Sequence, residues 1–120
     1  MSTFWVLLVH GLHVLGGLVW FGGAVFAAFV LWPSLLRQPA PAARAQFQAM
    51  SGTIGPLMGG AAQLTFWLGL LRGIWLGPVR SFDVLLGTAY GRTFGIALLL
   101  TLVVMGVGIA TGRTYEARIW

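Results

Sequence analysis

At 120 residues, 58% of them hydrophobic and only 8% charged, the chain lacks the polar surface that a water-soluble domain needs. Its net charge of +5 comes from seven arginines and no lysine. These are spread over connections and helix ends without a stripe or recognition motif, which points away from nucleic acid and toward anionic lipid headgroups. With no cysteine, disulfides and thiolate metal ligands are excluded.

Three apolar runs are long enough to cross a hydrocarbon core of ~30 Å, which takes ~20 helical residues. The first, Phe4 to Trp32, carries no charged residue and would measure about 43 Å as a helix, so it must tilt or protrude. It lacks a basic leader and is about twice the length of a signal-peptide core, so it reads as a span. Pro33 is expected to stop it, and Trp5 and Trp32 stand at its ends, where an aromatic belt would sit. Residues 41–51 are alanine-rich after the breakers Pro39 and Pro41. They predict a short interfacial helix, with Phe47 and Met50 dipping into the membrane.

The second span covers about residues 54–77. It contains Gly55-x3-Gly59 and Gly69-x3-Gly73-x3-Gly77, a spacing that puts small residues on one face for helix packing. Arg72, near its end, is expected to snorkel to the headgroups. Ser81 to Gly91 is too short to span and is expected at the surface or partly re-entrant. The third span covers about 93–111, and Gly108-x3-Gly112 lies at its close. The fold expected is therefore an all-α integral membrane protein, a single helical domain over residues 1–120. Four arginines on the first-loop and C-terminal side face three on the other, a slight lean toward a cytoplasmic C-terminus.

Both histidines of the chain, His10 and His13, lie in the first span. An ionisable side chain inside a span is costly and usually has a partner or a task. Steps of three and four residues place His10, His13, Gly17, Trp20, Ala24 and Ala27 on one helical face. Small residues beside a histidine admit a planar cofactor such as haem, or merely another helix. In the second case the imidazole would hydrogen-bond to a neighbouring carbonyl or to Gln63.

Neutral imidazole suits haem iron, copper and zinc. Two histidines three residues apart point the same way, so they cannot occupy opposite axial positions of one haem. A bis-His haem would need a second chain, and the alternative ligand within this one is a methionine, Met58 or Met105. A copper(I) site from His10, His13 and one of these methionines is also chemically reasonable. Arg72 or Arg92 would pair with haem propionates. The only acids, Asp83 and Glu116, are isolated from one another, and no dinucleotide, Walker or nucleophile motif is present. No catalytic residue is assigned.

His13, Trp20, Gly22-Gly23 and Leu31-Trp32-Pro33 resemble the first helix of the copper resistance protein D superfamily, a group similar to the flavin-free, membrane-bound protoporphyrinogen oxidases of bacteria. Tyr90-Gly91-Arg92-Thr93-Phe94 is similar to a segment that opens a later helix in that group. The resemblance implies a compact helical bundle in the bacterial inner membrane. It also implies copper uptake with a periplasmic partner, or a b-type haem held by a first-helix histidine, matched by His13, and a lysine. That lysine falls on Ala97 here, so the oxidase activity is not expected to carry over. Family domains commonly have a fourth helix, and three spans leave a side open for a second copy or a partner subunit. The expectation is a haem- or copper-binding membrane protein acting in electron transfer or in haem or copper handling. The alternatives are a non-catalytic accessory subunit and, more weakly, copper transport.

Overall fold

A computed structural model describes residues 2–120. Helix α1 runs from Thr3 to Phe26 and passes through a π-helical turn, Ala27–Leu31, into α2, Trp32–Leu36. Pro33 therefore does not stop the first span. It has no N–H for the carbonyl of Phe29, four residues back, and the wider turn upstream makes room for its ring. The helix ends instead before Pro39, whose ring disfavours helical backbone at Gln38.

Helix α3 is continuous from Ala40 to Leu70 and ends in a second π-helical turn, Leu71–Trp75. The short helix expected over 41–51 is thus the first third of a longer one. Pro41 lies in the opening turn, where its missing N–H costs nothing. Pro56 removes one internal hydrogen bond, a loss that membrane helices tolerate. At about 46 Å, α3 overruns the hydrocarbon, so its start, with Arg44, Gln46 and Gln48, projects beyond it as a helical extension. Gln38 donates to Gln46 across the tight connection at 2.7 Å.

After Trp75 the chain turns back on the helix end. A Cβ at Gly77 would meet the carbonyls of Arg72 and Gly73. Ser81 caps α4, Phe82–Gly87, by accepting from Val84 N–H. Thr88 caps α5, Ala89–Ile119, by accepting from Gly91 N–H at 3.0 Å. A side chain at Gly91 would collide with the Val84 carbonyl and with Leu85, so this glycine lets α4 fold directly onto α5.

Three helical stretches are long and apolar enough to cross a membrane, Thr3–Leu36, Ala40–Trp75 and Ala89–Ile119. The protein is an all-α membrane protein, as expected. Its extents of 54 × 28 × 17 Å make it a slab of antiparallel spans, with the exposed leucines, valines and phenylalanines facing lipid. The first two spans are closely paired. A Cβ at Gly16 would lie 3.1 Å from Thr65 Oγ1 and 3.4 Å from the Ala61 carbonyl, and one at Gly23 would fall inside the Met58 side chain. Of the glycine series, Gly69 and Gly73 meet neighbouring spans, whereas Gly55, Gly59, Gly108 and Gly112 face open space.

Helix α5 touches the pair mainly at its two ends. Near its start, Phe94 occupies the notch left by Gly73. Near its finish, Tyr115 and Ile119 join a core of Leu31, Trp32, Leu35, Ala43, Phe47 and Met50. Trp32 is only 9% exposed and stacks on Phe47 at 5.6 Å, so it is a core residue rather than a belt residue. Trp5, 54% exposed, keeps the belt position. Phe47 and Met50 likewise face this core. Arg44 lies 6.0 Å from the Trp120 ring and Arg118 lies 5.5 Å from the Tyr115 ring, closing the same end with cation–π contacts.

Candidate functional site

His13 is half-buried on α1, facing α3. Its Nδ1 lies 2.8 Å from the main-chain carbonyl oxygen of Thr65. A carbonyl only accepts, so Nδ1 carries a hydrogen, and in the neutral ring Nε2 is then the lone-pair nitrogen. Gly69, one turn beyond Thr65, provides the room, since a Cβ there would stand 2.9 Å from His13 Cε1. The Thr65 hydroxyl is turned away into its own helix and donates to the Ala61 carbonyl at 2.7 Å. Gln63, the other candidate partner, accepts instead from Trp67 Nε1.

The imidazole borders a half-open cleft of about 340 Å³ between α1, α3 and α5. This volume is within the ~300–1,000 Å³ typical of small-molecule sites. His10, His13, Arg72 and Tyr90 supply its polar groups, and Phe66, Leu70, Phe94, Ala97 and Leu98 supply most of its apolar wall. The cleft exists because α5 is held off by the Phe94–Gly73 contact at one end and by the aromatic core at the other.

Arg72 borders the same cleft as His13. It is half-buried in the π-helical turn and has a buried Nε with no hydrogen-bond partner among the described residues. A guanidinium nitrogen left unpaired in an apolar setting favours an anionic group beside it. Tyr90, the first residue of the Tyr-Gly-Arg segment, stands at the same mouth.

The other sequence candidates are not gathered here. Gly17 packs against Thr65 in the seam between spans, 3.7 Å from a would-be Cβ to Cγ2. Trp20 is half-buried farther along the same seam and does not border the cleft. Met58 fits against Gly23, ten residues and about 15 Å along α1 from His13. Met105 lies on α5 beyond the cleft wall. Arg92 points back to the α4 end, where it donates to the Leu86 carbonyl at 3.3 Å. The structure therefore joins His13 to His10 and Arg72, and it separates them from both methionines.

Sequence reasoning missed Thr65, whose contribution is a main-chain carbonyl and leaves no mark in residue type. It noted Gly69 only as a packing residue. Comparison with protein-family models, with curated proteins and with solved structures found no match to this chain.

Proposed function

We propose that this membrane protein binds a b-type haem through His13, in the cleft between α1, α3 and α5, and serves in electron transfer or haem handling within an oligomer or larger complex of the bacterial inner membrane. The observation that carries this reading is the His13–Thr65 hydrogen bond. A ligating histidine commonly donates its other ring N–H to a carbonyl, which fixes both the tautomer and the ring orientation. Here that bond makes Nε2 the nitrogen a neutral ring would offer to a metal, and the ring borders an apolar slot with aromatic walls.

The residues present fit the group. Imidazole is a haem-iron ligand, and Arg72, with its unpartnered Nε, is suited to a propionate at the headgroup end of the cleft. Bound haem would supply one-electron and ligand-binding chemistry at its iron. The chain's part is to orient one imidazole, neutralise a carboxylate and exclude water with Phe66, Phe94 and Leu98. The similarity of the first-helix and Tyr-Gly-Arg motifs to the copper resistance D group supports the same reading. Copper draws less support, because neither thioether reaches the histidines and His10 and His13 would have to hold the ion without them. Copper transport draws less still, since of the candidate copper ligands only His10 and His13 line the cleft.

A second reading has its own support. The same hydrogen bond suffices for a purely structural histidine, and none of the most apolar stretch of α5 is buried. Both features suit an accessory subunit that docks on other membrane chains. One experiment separates the readings: absorption spectra of the detergent-purified protein, oxidised and dithionite-reduced, with metal analysis of the same sample. A Soret band with reduced α and β bands, lost in His13→Ala, is the expected result. A featureless spectrum without stoichiometric iron or copper leaves the accessory reading in place of the haem one.

A further inference from the structure

We propose that Ala97, Leu98 and Thr101, the wall across the cleft from His13, supply no second ligand to a haem bound there, so that the site would admit a neutral diatomic gas. The inference rests on the haem reading of the same cleft and concerns what stands across from His13. Gly69 marks the level of the His13 ring, and Gly73, one turn higher on α3, marks the level of Phe94. Because α5 runs antiparallel to α3, the residues below Phe94 on the cleft wall face the His13 level. They are Ala97, Leu98 and Thr101.

None of these offers a strong donor to haem iron: Ala97 and Leu98 are hydrocarbon, and Ala97 stands where the lysine of the resembled group would fall. The Thr101 hydroxyl is also engaged with its own helix, donating to the Ala97 carbonyl at 2.8 Å. Four candidate ligands remain to be placed, His10, Tyr90, Met58 and Met105. His10 projects from the same helix as His13 and toward the same side, so it cannot lie opposite. Tyr90 is seven residues above Ala97, about 10 Å along α5 toward the headgroups. Both methionines lie outside the cleft.

A site with one imidazole and an apolar far wall is built for a small uncharged ligand of reduced iron. A bis-ligated electron carrier would need a second strong donor, and this wall offers none. The distal surroundings of a haem decide among ligand binding, oxygen activation and electron transfer.

The test uses the purified, haem-containing protein and carbon monoxide. Expected are high-spin spectra in both oxidation states and, on reduction, uptake of one carbon monoxide per haem with a shift of the Soret band. A low-spin reduced spectrum that carbon monoxide leaves unchanged would overturn the proposal while leaving the haem reading intact. Absence of any Soret band would remove both. Two variants locate the open side, Ala97→His and Thr101→His. At least one should convert the spectrum to low spin and suppress carbon monoxide uptake. If both stay high-spin and bind the gas as the parent does, α5 is not the far wall and the proposal fails.

Discussion

Gly69→Ala tests the join between α1 and α3 with a single methyl group. The added carbon would stand 2.9 Å from His13 Cε1 and 3.3 Å from Nδ1. Ordinary contact begins at 3.4 Å, so the ring must retreat by about 0.5 Å. A retreat of that size stretches the 2.8 Å bond to the Thr65 carbonyl beyond the ~2.7–3.2 Å range of N–H···O hydrogen bonds. Interhelical hydrogen bonds in membranes average ~0.6 kcal/mol and reach ~1.7. Displacing a packed ring from its rotamer adds roughly 0.5–1.5 kcal/mol. The substitution should therefore cost about 1–2 kcal/mol, less whatever alanine gains in helix propensity. That gain cancels in a double-mutant cycle with His13→Ala, where the methyl meets no ring and becomes neutral or stabilising. Equilibrium unfolding in mixed detergent–SDS micelles reads all four proteins. A coupling near 1 kcal/mol or more is expected, and one within about 0.3 kcal/mol of zero would refute the contact.

Three further outcomes follow from the same geometry. Arg72→Leu should weaken haem binding roughly ten- to hundredfold in a hemin titration, the loss of a charge-assisted hydrogen bond of ~1.5–3 kcal/mol, while Arg92→Leu leaves it near the parent value. Equal losses in the two variants would detach the anionic end from the cleft. Met58→Leu, a volume-conserving change costing less than ~1.5 kcal/mol, should leave both the absorption spectrum and the metal content unaltered, and a change in either would restore the thioether as a ligand. Gly73→Val should expel the Phe94 ring from its notch and part the upper end of α5 from α3. Spin labels on the two helices would then report a longer distance, and an unchanged distance would contradict the packing described above.

The three spans were legible because length and hydropathy alone define them. Their boundaries were less so. Pro33 reads as a helix stop, but an apolar medium keeps the helix going, since a broken helix there leaves amides with no water to bind. Trp32 looked like an interfacial anchor by its place at the end of a run, and only the return of α3 and α5 makes it a core residue. At the site, His13 and Arg72 declared themselves as ionisable groups in apolar surroundings. The methionines could not be judged from sequence, because their distance from His13 depends on which turn of α3 faces which turn of α1. That register is set by close approach at Gly16, Gly23 and Gly69, three of eighteen glycines that look alike in the sequence. The Thr65 carbonyl was unreadable in principle.

The most direct test of the central claim is chemical rescue at the proposed ligand. His13→Gly, purified and supplied with hemin, should lack the Soret and reduced α bands of the parent protein and should regain them when free imidazole is added. If the parent itself shows no Soret band, or if His13→Gly keeps the parent spectrum without imidazole, His13 is not a haem ligand and the account of this cleft is wrong.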